Sequence, residues 1–468
     1  MSTSHLTRTE QFLQIFTEIK PGEGSKALLM SLNIFLILCS YYFIKPLREG
    51  WIAISDIQGL TQMEVKAYSS FLQSIFLLFI VGFYGKLAGR WDRSILITRV
   101  TLFCISNMVI FWFLQPGYFF DHLPLSGIFF YLWVGMFGVF IVAQFWTFCA
   151  DIYSDESGQR LIPVIAIGAT LGAVAGSDIV DILVGSDLIA TEMLLILATL
   201  PLFASIAISR KVDSSHKSLP AANTEEDEDI IKEKPGNQGL GFLLSGARLV
   251  VISRFMLAAA VVTLLTNWVN TNGENLLFQV VQDSLHGIAA DQGITDSHQV
   301  LEFTRSETTK FYGNFYFWVN IVALLLQSLV VSRLLKFGGF ASIALMLPVI
   351  ALVSYTLMAL LPILAIVKMM KIAENATDYS VNNTARHVLW LPVDSAMKFR
   401  GKPAIDTLYV RMGDGLAALT VLVGVELLAL TTQQFFIFNI GLVVLWLVFA
   451  KMLVQEHRKA SMQNIHQE

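Results

Sequence analysis

Residues 27–48 read ALLMSLNIFLILCSYYFIKPLR. No charged side chain interrupts them before Lys45. A bilayer's hydrocarbon core is about 30 Å thick and takes about 20 apolar residues as a helix, a conformation that pairs nearly all backbone polar groups within the segment. The stretch is therefore read as a membrane span that carries Lys45 and Arg48 to its far end. Runs of the same kind recur near 67–86, 95–115, 125–152, 161–184 and 189–208, and again near 244–269, 311–332, 340–360, 361–386, 405–430 and 433–454. The expected fold is an all-α integral membrane protein with twelve transmembrane helices in two six-helix halves. Leu361-Pro362 makes the shortest of the connections.

Composition points the same way. The chain is 15% charged, where a soluble domain carries about 25%. Alternating polar and apolar strands are missing, which excludes a β-barrel. A net charge of −4 argues against a nucleic-acid partner, which needs a basic surface. Cys39, Cys104 and Cys149 each lie in an apolar run, so neither a disulfide framework nor a zinc site is expected. There is no HExxH, GxSxG, P-loop or dinucleotide fingerprint, so no enzyme chemistry, cofactor or metal is expected. Glu10, Glu18 and Glu23 precede the first apolar run, which excludes a transit peptide and makes a bacterial inner membrane the simplest address.

The two halves, 27–208 and 242–454, are separated by 209–241, where Glu225-Glu226-Asp227-Glu228-Asp229 marks a solvated linker. Basic residues set the orientation. With residues 1–26 inside, inner segments hold clusters such as Lys86, Arg90, Arg93 and Arg99, or Lys398, Arg400 and Lys402. The outer loops hold only Lys66, Arg305 and Lys310. The N-terminal segment, the linker and the tail 455–468 are thus expected on the cytoplasmic side. The long outer loop 270–310, with Leu276, Leu277, Val280 and Val281 among acids, reads as a short amphipathic helix at the outer interface.

The chemistry concentrates in the tenth span. Lys368, Lys371, Asn375, Asp378, Asn382 and Arg386 follow one another at spacings of three or four and so share a helix face. Lys371 falls near mid-bilayer, where a charge costs a few kcal/mol on insertion scales. The stripe, with Glu374 beside it, either borders a wet solute pathway or forms a buried ion-pair network. The eleventh span answers with Asp406, Arg411 and Asp414, which either pair with the tenth or line the same cavity. At the end of the first span, Tyr41, Lys45 and Arg48 align as a cationic patch or as interfacial anchors.

The seventh span carries Thr263, Asn267, Asn270 and Glu274 on one face, and the fourth carries Gln144, Asp151 and Asp155. Gly168, Gly172 and Gly176 in the fifth form a close-packing motif, followed by Asp178 and Asp181, which either titrate or sit as rim charges. Asp151-Ile-Tyr-Ser…Arg160 and Asp378-Tyr-Ser…Arg386 echo each other at the fourth helix of each half, as in transporters built from related halves with a site near the midplane.

Four stretches carry a family resemblance: Lys45-Pro-Leu-Arg48-Glu49, Phe145-Trp-Thr-Phe-Cys-Ala-Asp151…Arg160-Leu-Ile-Pro163, Glu374-Asn-Ala-Thr-Asp378…Arg386, and Lys398…Asp406…Arg411-Met-Gly-Asp414. They resemble the nucleotide transport proteins of the ATP/ADP translocase type, within the major facilitator superfamily, as a divergent member. The resemblance implies a twelve-helix secondary transporter working by alternating access on a small anionic solute such as ATP or ADP, with ATP/ADP exchange as one hypothesis; a cell inner membrane, a lipid bilayer around the chain and a monomer are expected beside it. Anionic cargo calls for Lys45, Arg48, Lys368, Lys371 and Arg411, with Asn375 and Glu374, as substrate-binding residues. Asp151, Arg160, Asp178, Asp378, Asn382, Arg386, Asp406 and Asp414 are candidates for gating or coupling. Another organic anion or a lipid-like solute remains an alternative cargo, and a membrane scaffold or sensor an alternative function.

Overall fold

In a computed structural model, the described residues are 10, 14, 19–88, 91, 93–115, 118, 125–186, 188–217, 246, 250–393 and 397–465. Among them the regular structure is all helical. In chain order we label α1 (Gly24–Ala53), α2 (Gln62–Ala88), α3 (Arg93–Phe113), α4 (Ser126–Ile152), α5 (Asp155–Gly185) and α6 (Thr199–Lys217). There follow α7 (Arg254–Asp291), α8 (Ser297–Leu325), α9 (Val331–Leu360), α10 (Leu364–Thr377), α11 (Val410–Leu422) and α12 (Thr432–Ile465).

Eight helical stretches among the described residues are long and apolar enough to cross a membrane: Gly24–Ala53, Ser94–Phe113, Ser126–Ile152, Arg160–Gly185, Met193–Ser214, Ser297–Leu360, Lys402–Leu427 and Thr432–Met462. The 64-residue stretch Ser297–Leu360 is broken at Gly339, whose φ of 58° no helix accommodates. Large apolar side chains such as Phe79, Leu188, Leu200 and Leu391 lie on the outside of the protein. Outward faces of this kind suit acyl chains as solvent, where a soluble protein would show large apolar patches only at binding sites.

Local chemistry fixes several helix starts. Thr61 and Glu64 form a reciprocal capping box ahead of α2, with Thr61 N donating to Glu64 Oε2 (2.8 Å) and Glu64 N to Thr61 Oγ1 (3.3 Å). Ser154, Ser253 and Asp296 cap α5, α7 and α8. Helix α9 stops at Leu360 and α10 begins at Leu364, so the Leu361-Pro362 turn lies where the sequence places it.

The chain divides into two compact units. The first comprises Met1–Glu49, Phe83–Gly236 and Thr309–Phe317; the second comprises Gly50–Gly82, Asn237–Thr308 and Trp318–Glu468. The boundary differs from a division at the linker, because 50–82 belongs with the second unit and 309–317 with the first. Within the first unit, the α5 glycines meet the backbone of α1. A Cβ on Gly176 would stand 2.6 Å from the Cys39 carbonyl oxygen, and one on Gly168 or Gly172 would overlap the carbonyls of Ser31 or Phe35. The matched spacing of four on both helices is what small-residue packing predicts.

Several segment expectations change. Residues 270–310 are not an interfacial loop with a short helix. Helix α7 continues unbroken to Asp291 and α8 starts at Ser297. Leu276, Leu277, Val280 and Val281, read from sequence as facing the interface, are buried. Their burial inside the protein, with no proline in the stretch, keeps α7 helical beyond one membrane thickness. Helix α6 takes up 209–217 of the expected linker, while 218–241, including the acidic run, lies outside the described residues. Helix α12 likewise runs through much of the expected tail, to Ile465.

Candidate functional site

In the second unit the polar face of α10 meets that of α7. Lys371 is fully buried. Its Nζ donates to Glu374 Oε2 at 3.0 Å and lies 3.6 Å from Glu274 Oε1 and 3.5 Å from Asn270 Oδ1. Asn375 Nδ2 donates to the same Glu274 oxygen at 2.8 Å. The Tyr355 hydroxyl from α9 lies 3.1 Å from the Val269 carbonyl and 3.3 Å from Glu374 Oε1. One ammonium is thus clasped by two carboxylates from two helices. Charge-assisted bonds of this kind make a buried lysine tolerable.

The clasp exists because α7 has glycine at 273. A Cβ there would lie 2.7 Å from Lys371 Nζ and would overlap the Tyr355 hydroxyl. Gly273→Ala should therefore expel either the ammonium or the phenol, costing about 1–3 kcal/mol by overpacking. A thermal-unfolding midpoint in detergent equal to that of the parent chain would contradict this.

The sequence stripe is only partly one surface. Lys371 and Asn375 join Glu274 and Asn270, whereas Asn267 bonds back to the Thr263 carbonyl. Beyond Thr377 the helix makes a π turn, Asp378–Asn382, which breaks the 3.6-residue phase. Within it Asn382 Nδ2 donates to Asp378 Oδ1 at 2.6 Å. Lys368 and Arg386 are half-buried, and Asp406 is exposed with Arg386, Lys402 and His387 supplying the positive field around it.

Arg411 and Asp414 neither pair with α10 nor join its clasp. Arg411 Nη1 bonds Asp414 Oδ2 at 3.0 Å and Ser74 Oγ of α2 at 3.2 Å. Ser74 Oγ donates to Asp414 Oδ2 at 2.6 Å, and Thr271 Oγ1 of α7 to Oδ1 at 3.0 Å. The close approach of α11 to α7 at Gly413, where a Cβ would be 2.8 Å from the Leu264 carbonyl oxygen, turns Asp414 toward these partners.

Lys66, counted from sequence as an outer-loop residue, is buried. Its Nζ lies 3.3 Å from the Glu274 carbonyl and 4.5 Å above the Phe278 ring. The Thr61-x-x-Glu64 capping box was the available signal, since it draws Lys66 into the second turn of α2.

In the first unit α1 presents a second cationic cluster. Lys45 is 8% exposed. Its Nζ lies 4.0 Å from the centre of the Tyr316 ring, 5.1 Å from Tyr42 and 5.8 Å from Tyr41. Arg48 sits 4.4 Å over Tyr131 and is ion-paired with buried Glu49, its Nε 3.0 Å from Oε1. Desolvated cation–π contacts contribute about 2 kcal/mol each, so aromatic faces do part of the work that water would do. Interfacial anchoring does not describe these residues, because a snorkelling side chain ends in solvent. Tyr316 and Tyr131 are far from Lys45 in sequence and carry no local signal.

At the N-terminal side of the same unit, Arg160 forks onto Glu23 through two bonds of 3.0 Å. Burial pushes the Glu23 carboxyl up, but the Arg160 hydrogen bond, the Lys20 backbone N–H and both positive charges outweigh it and hold the group below its ordinary 4.5. A depressed folded-state value contributes stability that is present above the unfolded-state value and lost as pH falls through the folded one. Acidification below about pH 4.5 should therefore release this lock, and Glu23→Gln should abolish that part of the acid sensitivity in a pH series of unfolding midpoints. Asp151 is exposed, Asp178 is half-buried, and Asp181 accepts from Asn314 Nδ2 at 2.9 Å. Among the described residues no group of three His, Cys, Asp or Glu could hold a metal ion, and the three cysteines are free and buried.

The family profile described as TLC ATP/ADP transporter matches residues 353–457, which hold the Lys371–Glu374 pair and the Arg411–Asp414 pair. A curated relative, ADP,ATP carrier protein 1 of Chlamydia pneumoniae, is 25% identical over 171 residues, 32% of this chain and 33% of the relative. The match thus spans about a third of that relative's length. The solved structure of the POT family transporter PepTSo superposes with a TM-score of 0.61 at 11% identity, covering 93% of this chain and 98% of the other. The nucleoside transporter NupG (D323A mutant) gives 0.56 at 14%, covering 91% and 99%. At such identities these two speak for the fold alone. The chain thus shares the fold of these solved transporters, and its residues 353–457 match the TLC ATP/ADP transporter profile.

Proposed function

We propose that the protein is a secondary transporter that moves an anionic, nucleotide-like solute by alternating access. The observation that carries this reading is the pair Lys45 and Arg48, packed against the faces of Tyr316, Tyr42 and Tyr131. Cations bind phosphate oxygens and aromatic rings stack on bases, so one cluster offers both halves of a nucleotide a partner. The match of 353–457 to ATP/ADP transporters supports the same cargo. Twelve spans are proposed, the eight apolar stretches being supplemented by α2, α7 and α10 and by the break at Gly339, which divides Ser297–Leu360 in two. A cell inner membrane, cytoplasmic termini and a working unit of one chain are proposed with them. Arg160 with Glu23 is proposed as an inner gating contact. Counterflow of labelled ATP in proteoliposomes tests the reading, and absence of exchange with every nucleotide and organic anion tried would sink it.

One observation favours the scaffold or sensor instead. Lys371 is sealed between carboxylates, as a purely structural ion pair would be. A nucleotide-dependent rise in unfolding midpoint separates the two, because only a protein that binds the solute gains stability by mass action.

A further inference from the structure

Helix α8 is divided between the units. Its residues 309–317 belong to the first, while the rest of Ser297–Leu325 belongs to the second. That short segment lies against two helices of the first unit at once. Toward α5, a Cβ on Gly313 would stand 2.9 Å from Val180 Cγ1, and Asn314 Nδ2 donates to Asp181 Oδ2 at 2.9 Å. Toward α1, the Tyr316 ring covers Lys45 Nζ at 4.0 Å and meets Tyr42 edge-on, with ring centres 6.0 Å apart. Helices α5 and α1 are themselves joined at Gly176, where a Cβ would stand 2.9 Å from Tyr42 Cβ. The contacts thus close a triangle: α8 on α5, α5 on α1, and α1 on α8.

The sides of that triangle do different work. A ring face attracts an ammonium over a wide range of angles and distances, so the Tyr316–Lys45 contact sets little of its own geometry. A hydrogen bond weakens steeply once it is bent. Asn314 lies two residues before Tyr316, about 3 Å along the axis at 1.5 Å per residue. Its bond to Asp181 therefore fixes the rotation and height of α8 where the ring is carried, and Gly313 fixes how near α8 comes to α5.

We propose that Asp181 and Asn314 are positioning residues for the Lys45 site, acting through Tyr316. With the segment docked on α5, the ring rests on Nζ and holds the cation in place for the solute's phosphate; this role rests on the reading of Lys45 given above. With the segment undocked, Lys45 loses that ring. A solute that needs the docked arrangement binds with its affinity reduced by the docked fraction. Solute binding in turn holds residues 309–317 in the first unit, because a ligand shifts an equilibrium toward the state it binds better.

The full chain in lipid nanodiscs carries the test. Acetic anhydride enters water and lipid alike, so the rate of Lys45 acetylation, read by peptide mass spectrometry, reports how well Tyr316 covers the amine without calling on any solute. Asn314→Leu should acetylate at Lys45 several-fold faster than the parent. The exchanged pair Asp181→Asn with Asn314→Asp rebuilds one bond with donor and acceptor reversed, and should return the rate to the parent's. Gly313→Ala pushes the segment off Val180 by another route and should act like Asn314→Leu, which covers the case of one variant failing to fold. An unchanged Lys45 rate in the two loosened variants overturns the proposal. ATP affinity, read from the nucleotide-dependent rise in unfolding midpoint, should weaken about tenfold in Asn314→Leu if the docked fraction falls to about a tenth, and recover in the exchanged pair. Added to Lys45→Ala, Asn314→Leu should cost no further affinity, since both act on one contact; a full second loss there would show another route and overturn the proposal. If the acetylation rates fall in the expected order while the parent binds no nucleotide, the positioning stands and the transport reading falls.

Discussion

Lys371→Ala is expected to remove about 3–5 kcal/mol of stability, the usual effect of deleting one partner of a buried ion pair, and to abolish solute exchange. The first effect follows from burial. Lys371 is fully enclosed and Glu374 nearly so. Without the ammonium, Glu274 and Glu374 are left facing each other with Asn375 and Tyr355 as their remaining donors. Reading the stripe as an open cation surface would instead predict lost transport in a protein of unchanged stability. A double variant separates the possibilities. Lys371→Met with Glu374→Gln removes both charges of the short pair and refills the space with a side chain of similar length, so much of the lost stability should return. If the tie between α7 and α10 matters for transport, exchange should stay absent in that restored protein. Unfolding midpoints and ATP counterflow on the two proteins, side by side, decide it. Exchange at the parent rate in the double variant would show that the clasp only holds helices together.

What the sequence makes legible is governed by distance along the chain. Apolar runs of spanning length are one-dimensional signals, and helices such as α1, α4, α5 and α12 lie over them, with the Leu361-Pro362 turn falling between α9 and α10. The small-residue face of α5 is equally local, since its spacing alone demands a close partner. The α7 and α10 stripes were legible singly, as polar faces that lipid would not tolerate. That Asn270 and Glu274 would meet Lys371 and Asn375 is a tertiary fact, as is the pairing of Arg411 and Asp414 with Ser74 and Thr271. The π turn at Asp378–Asn382 is hidden because nothing in residue type marks an extra residue per turn. Residues 270–310 misled for another reason. Their acids suggested an outer interface, but Asn272, Asn275 and Gln282 are buried with their apolar neighbours, so a polar composition did not mean a solvated segment.

The second large effect belongs to Lys45. Lys45→Ala is expected to weaken the apparent affinity for ATP by about 10- to 100-fold, the loss of one or two charge-assisted bonds at about 1.5–3 kcal/mol. The Lys45 ammonium lies 4.0 to 5.8 Å from three ring centres. Arg48 is a poorer probe, because its removal takes away a guanidinium ion-paired with Glu49, which is 1% exposed. The rings supply the control. Tyr316→Phe keeps the π face 4.0 Å from Nζ and should retain ATP affinity, whereas Tyr316→Leu removes that face and should lower it toward the Lys45→Ala value. Such ordering in counterflow concentration dependence would identify the aromatic frame as what holds a desolvated cation ready for phosphate. Equal affinities across all three variants would place the solute elsewhere and leave the cluster as helix packing.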